Sequence, residues 1–272
     1  MTGRTAAMRA AQLALLGVLL FPIYWIATAA LTPEAQLFGA RPLVPTALSL
    51  EHYRALVGER DFLIPIRNSL LVAGATTLLA VPVAALCAYP LARLRVRGKS
   101  LLLAFILAVS MFPQISIVPP LYLVLRELRL LDTYPGLVLP YLTFSTPLAV
   151  WMLTAFLRQL PRDIEEAAML DGASRLRVLR TVVLPLAAPA LGATAILTFL
   201  YCWNEFLFAL SFMLGPEHHT VPVAVALFRG RYQVPWGQVM AAAALATAPA
   251  VLIVLALQRR IVAGLTAGAT KG

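Results

Sequence analysis

The stretch from Leu157 to Leu184 gathers four acids, Asp163, Glu165, Glu166 and Asp171, and five arginines, Arg158, Arg162, Arg175, Arg177 and Arg180. The chemistry this spacing suits is recognition. Pro161 fits a first helical turn, Asp163 with Glu166 three residues on predicts a capping pair, and the acids favour the positive end of a helix dipole. Ile164, Ala167, Ala168 and Asp171 share one helical face. Gly172 stops that helix, because glycine enters the left-handed region cheaply. Ser174 caps a second helix that ends at Pro185. A helix with small Ala167 and Ala168 lets another backbone approach closely, which suits docking into a partner's groove. An ordinary helical loop between membrane spans is the competing reading.

Other candidates carry less. Gly98-Lys99-Ser100 ends like a phosphate-binding loop, but Arg93 occupies the first glycine position of G-x-x-x-x-G-K-[ST]. His218 and His219 are adjacent beside Glu217, without zinc-helix spacing, and read as a solvated loop. Cys87 and Cys202 lie in apolar runs and read as packing residues. Glu205 is the one clear acid inside an apolar run. A charge at mid-membrane costs roughly 3 kcal/mol on insertion scales. Glu205 is therefore either a pathway or gating residue beside Asn204, or part of a helix-packing polar pair near the outer interface. Tyr201, Trp203 and Asn204 are candidates for a substrate pathway, by stacking and polar contact. No nucleophile–base set, paired acids or metal cluster stands out, so the chain reads as a non-enzyme that binds no metal or other cofactor itself.

The elements that position these residues are membrane spans. Of 272 residues, 61% are hydrophobic and 12% charged, too little charge to cover a water-facing surface. About 20 apolar residues cross a hydrocarbon core of roughly 30 Å. Six runs qualify: Ala10–Leu31, Ser69–Leu91, Leu101–Leu125, Leu137–Leu157, Leu186–Met213 and Val239–Leu257. In lipid they must be helices. The first run resembles a signal peptide ending at Ala27-Thr28-Ala29, but its length favours a retained helix. Alternating the segments puts 14 of the 22 Lys and Arg on one side and 8 on the other, which predicts cytoplasmic termini. The net charge of +10 then reflects topology and lipid headgroups rather than nucleic acid. Thr32–Asn68 and Leu214–Gln238 become external. Pro82, Pro113, Pro119, Pro120, Pro147, Pro189 and Pro249 predict an irregular bundle that bends.

Glu166-Ala-Ala-Met-Leu-Asp-Gly172, nine residues, then Val182-Val-Leu-Pro185 resembles the EAA loop of binding-protein-dependent ABC importer permeases; Val182 replaces the usual isoleucine. Ala88-Tyr-Pro-Leu-Ala-Arg93, Asn68-Ser69 opening the second span, Trp203-Asn-Glu-Phe206 and the terminus from Gln258 to Gly272 are similar to segments of the carbohydrate-type, MalG-like members of that family. Pro90 and Thr270 depart from the usual alanine and valine.

The resemblance implies an all-α type I importer permease fold, with a MetI-like transmembrane domain and a cytoplasmic coupling helix-turn-helix. It implies a first helix and external segment over 1–66, a permease core over 67–258 and a cytoplasmic tail over 259–272. It makes Glu166, Ala167, Ala168, Asp171, Gly172 and Pro185 the loop that meets the ATPase, with the tail from about Gly264 as a second contact. The loop of about Gly215–Pro235 would touch a binding protein. The implied function is import of a sugar or oligosaccharide of the maltose/trehalose class across the bacterial cytoplasmic membrane. Implied partners are a MalF-like second permease, two MalK-like ATPase subunits holding ATP and Mg, and an extracytoplasmic sugar-binding protein. Shifting a two-state transporter needs about 5 kcal/mol of differential binding, and this chain has no evident source of its own. The alternative, a stand-alone ion-coupled carrier, is opposed by the sparse intramembrane charge.

Overall fold

The computed structural model describes residues 2–38, 44–45, 47–228 and 234–269, with side chains from 5 to 256 within those ranges. The end of the expected tail and residues 229–233 of the expected outer loop lie outside the described residues. Every described regular element is helical: α1 (Thr2–Ala30), α2 (Glu34–Leu37), α3 (Glu51–Gly58), α4 (Leu63–Arg93), α5 (Lys99–Ser110), α6 (Gln114–Glu127), α7 (Tyr134–Gln159), α8 (Asp163–Leu170) and α9 (Arg175–Val178). A π-helical stretch, Leu179–Val183, leads into α10 (Leu184–Leu186), followed by α11 (Ala188–Trp203), α12 (Leu207–Phe212), α13 (Val221–Ala226) and α14 (Trp236–Ala269).

Four helical segments are long and apolar enough to cross a membrane: Thr5–Ala30, Leu63–Arg93, Tyr134–Gln159 and Trp236–Ala256. Two bent pairs raise the total to as many as six among the described residues: Lys99–Ser110 with Gln114–Glu127, bent by 82°, and Arg175–Leu186 with Ala188–Trp203, bent by 76°. The expected third span is thus broken rather than continuous, and the expected fifth starts at the second bend and is interrupted again at 204–206, between α11 and α12. Pro113 explains the first break. It stands extended at the N-cap of α6, without an N–H, and it disfavours helix in the residue before it. Pro185 and Pro189 flank the second break at Ala187, each at the start of its helix. Pro82 and Pro90 in α4, Pro119 and Pro120 in α6, Pro140 and Pro147 in α7, and Pro249 in α14 sit inside helices that continue. Proline alone therefore does not place the bends.

The chain divides into two units, Met1–Leu63 with Ala224–Pro249, and Ile64–Val223 with Ala250–Gly272. In the first, only 17% of the most apolar stretch of α1 is buried. Its outward leucines and valines therefore require lipid or a protein partner. His52 of α3 is buried, its Nε2 2.9 Å from the Thr32 carbonyl oxygen. Phe62 and Phe228 pack at 5.7 Å, with the Arg60 guanidinium 4.7 Å from the Phe228 ring centre. Gly237 opens α14 against the His52 ring, where a Cβ would collide.

In the second unit α7 is central, packed against α5, α11 and α12. One apolar core joins small residues of α4 (Ala84, Ala85, Ala88) to Leu153 and Leu157 of α7 and Val178, Leu179 and Val183. Alanines on α4 let the helices approach closely, as membrane packing favours. Leu103 and Ile106 of α5 pack on the same core, as does Ala168 of α8.

Candidate functional site

The helix–glycine–helix loop forms as the spacing predicts, with one change at its start. Arg162, not Asp163, holds the N-cap position, and no side chain caps the helix. The Arg162 carbonyl already accepts from the Glu165 and Glu166 amides at 2.9 and 3.0 Å, so the Glu166 amide that the expected Asp163–Glu166 pair would cap is already taken. The three acids of the first turn still face the positive dipole end.

The far end of α8 closes through two backbone bonds, Gly172 N–H to Met169 at 3.1 Å and Ala173 N–H to Ala168 at 3.1 Å. That double closure needs a left-handed residue at its corner, and Gly172 has φ +83°. Asp171 is the C-cap. Ser174 then caps α9, its Oγ accepting from the Arg177 amide at 3.4 Å. Pro185 lies in α10 beyond the π stretch, where Leu184 N–H reaches back five residues to Leu179.

The loop has two faces. Glu166, Ala167, Asp171 and Gly172 are exposed, with Ile164 and Met169, and Leu170 is 89% exposed. Ala168 is half-buried against the core of its own chain, so the two alanines are split between the faces. Glu165 is the one buried residue of α8. Its Oε1 stands 2.6 Å from Arg93 Nε, an ion pair out of line for a hydrogen bond. Tyr89 donates to its Oε2 at 3.2 Å, and Arg93 Nη2 donates to the Leu160 carbonyl at 2.9 Å. The sequence offers Tyr89 only within a resembling segment, Arg93 as a basic flank of its span and Glu165 as one of the dipole-facing acids, and it does not pair them. The available signal was rotation: on a helix Glu165 points about 100° away from Glu166.

The candidate pathway residues divide in the same way. Tyr201 and Asn204 are exposed, and Gln114 at the start of α6 donates to the Tyr201 hydroxyl. Trp203 and Glu205 are buried at 4% and 8% exposure. Glu205 lies in the break between α11 and α12, not within a continuous helix. It accepts from Tyr141 Oη at 2.7 Å and from the Phe208 and Ala209 amides at 2.9 and 3.1 Å, so it caps α12. An apolar groove of about 560 Å³ runs between Val109, Phe112, Ile117 and Leu121 on one side and Leu139 and Thr143 on the other.

Residues far apart in sequence converge around the turn before α7. Asp132, left-handed at φ +59°, accepts from the Leu214 and Gly215 amides at 2.9 and 3.1 Å. His218 is not simply solvated. Its Nδ1 lies 3.2 Å from Asp132 Oδ2, and its ring meets Tyr134 edge-on. Ligand atoms of Asp132, Glu217 and His218 lie within 4.8 Å of one another. Burial pushes the Asp132 carboxyl up, but the Gly215, His218 and Leu214 contacts outweigh it and hold it below the usual carboxylate range. Asn68, fully buried, donates to the Glu217 and His219 carbonyls at 2.8 and 3.0 Å and accepts from Tyr134 Oη at 2.8 Å. Ser69 Oγ accepts from the Val221 amide at 2.8 Å. The Asn68-Ser69 pair therefore pins the segment from Glu217 to Val221 onto α4.

The family described as "Binding-protein-dependent transport system inner membrane component" matches residues 80–267. The trehalose/maltose transport system permease protein MalG of Thermococcus litoralis is 42% identical over 258 residues, covering 94% of this chain and 92% of the relative. The trehalose transport system permease protein SugB of Mycobacterium tuberculosis is 43% identical over 258 residues, covering 94% of each. A crystal structure of a bacterial ABC transporter that imports the acidic polysaccharide alginate matches with TM-score 0.76 at 21% identity, over 95% of this chain and 97% of that one, a likeness of fold. The chain therefore belongs to the family of binding-protein-dependent transport system inner membrane components.

Proposed function

We propose that this chain is the multi-pass permease subunit of an ATP-driven importer for a sugar or oligosaccharide of the maltose/trehalose class. It pairs with a second permease, takes sugar from an extracytoplasmic binding protein, and is driven by two ATPase subunits that hold the ATP and Mg. Both termini are cytoplasmic, and 67–258 is the permease core between the segment 1–66 and the tail 259–272. The observation that carries the reading is the loop around Gly172. Its left-handed closure turns Glu166, Ala167, Asp171 and Leu170 outward, an exposed short helix that a groove on an ATPase subunit would accept. The trehalose and maltose permeases among the relatives support the sugar class.

The test is ATP-driven uptake of labelled trehalose and maltose by proteoliposomes holding the assembled transporter. Uptake should require ATP and should be lost in Gly172→Pro, which cannot adopt φ +83°. Normal uptake by that variant would overturn the docking role of the loop. Uptake by this chain alone on an ion gradient would instead establish a secondary carrier.

A further inference from the structure

Glu165 is buried and charged on a helix whose other residues face outward or sit at half-burial. Both of its carboxylate oxygens are engaged, Oε1 by Arg93 at 2.6 Å and Oε2 by Tyr89 at 3.2 Å. Tyr89 and Arg93 stand four residues apart, on one face of the last turns of α4. Arg93 also holds the carbonyl of Leu160, the C-cap residue of α7. One arginine therefore ties together the end of α4, the end of α7 and α8.

A buried ion pair is a poor device for stability alone. Its desolvation cost offsets much of the Coulomb gain, and apolar residues of similar volume do as well or better. What it supplies is intolerance of separation. Sliding α8 away from α4 by a few ångström leaves a charge buried and unpaired, whereas an apolar contact slides at little cost. Helix α4, at 31 residues, spans the bilayer with length to spare. Whatever moves α8 must therefore tilt or shift α4.

We propose that Glu165, gripped by Arg93 and Tyr89, is the positioning residue that locks the ATPase-facing helix α8 to the membrane-crossing helix α4. Nucleotide-driven movement of the loop then reaches the transport path without slip. This deepens the importer reading above and rests on it.

The experiment has two arms on the full transporter, this chain with its partner subunits. In the first, labelled trehalose moved per ATP hydrolysed is measured in proteoliposomes. Glu165→Gln should assemble yet lower that ratio about fivefold or more, since it breaks a buried charge pair. Tyr89→Phe, losing one of the two oxygens' partners, should lower it less. The apolar pair Glu165→Leu with Arg93→Met removes the orphan charge, so it should assemble and melt like wild type but not recover the ratio. Wild-type coupling in Glu165→Gln or in the apolar pair overturns the proposal. So does failure of Glu165→Gln to assemble when the apolar pair regains full coupling, because the role is then packing only.

The second arm needs no sugar. Spin labels at Leu86 on α4 and Arg162 beside α8, with Cys87 and Cys202 replaced by alanine, report the distance between the helices with and without ATP. The distance should stay constant in wild type and spread in Glu165→Gln. A wild-type distance that shifts with ATP overturns the lock. Absence of trehalose uptake by wild type, with the distance unchanged, would instead count against the sugar assignment.

Discussion

Tyr141 of α7 donates a 2.7 Å hydrogen bond to Oε2 of Glu205, the acid in the break between α11 and α12. The carboxylate also receives two amides of α12, so a single side chain satisfies a helix start inside an apolar surround. Glu205→Ala would leave those buried amides without a partner, at about 1–3 kcal/mol, whereas Tyr141→Phe removes one bond of about 1 kcal/mol. Melting of the purified protein in detergent should fall for both, and more for Glu205→Ala. Equal melting of wild type and Glu205→Ala would remove the capping role.

Leu170 sits 89% exposed at the tip of the loop. Leu170→Asp should leave melting of the isolated chain within about 0.5 kcal/mol of wild type, as surface changes do. An apolar side chain that fills a partner's pocket is worth about 2 kcal/mol or more. Co-purification of the ATPase subunit should therefore drop at least tenfold, and unchanged co-purification would exclude Leu170 as an anchor.

Asp132 makes stability depend on acid. Its carboxyl is held below the ordinary range despite burial, by the Gly215, His218 and Leu214 contacts. A depressed carboxyl contributes stability that is present above its unfolded value, near about pH 4, and is lost as pH falls through the folded value. Wild type should thus melt above Asp132→Asn at neutral pH, and the gap should close on acidification below about pH 4. A gap that stays constant across that range would show the charge to be irrelevant.

Asn68 reaches two carbonyls with one amide nitrogen. Asn68→Asp replaces that donor with an acceptor facing two acceptors, so it should release the Glu217–Val221 segment more than Asn68→Ala does. Limited proteolysis near His218 should quicken in the order wild type, alanine, aspartate. Identical cleavage rates in all three would mean that the segment is held elsewhere.

The loop from Asp163 to Pro185 was largely legible in the sequence because its determinants are local. Gly172 at φ +83° and Ser174 capping Arg177 follow from what glycine and serine do at helix ends, whatever surrounds them. The missed cap at Asp163 is also local: one more residue, Arg162, had already turned helical. Proline was less informative. Two helical breaks coincide with Pro113 and with Pro185–Pro189, while α4 and α7 each carry two interior prolines without ending. Neighbouring helices decide whether the freed carbonyls are tolerated.

Composition, apolar run length and the EAA spacing by themselves determined that the chain is a helical membrane protein with a helix–glycine–helix loop after α7, since lipid admits few other ways to satisfy a backbone. Only the tertiary structure decided that Glu165 and not Glu166 turns inward to Arg93, that Tyr141 meets Glu205, and that Asn68 and Asp132 gather the segment after α12. Those partners lie tens to more than a hundred residues apart. Local propensity carries no record of such pairings, which arise only when packing brings the helices together and buried polar atoms must find what lies nearest.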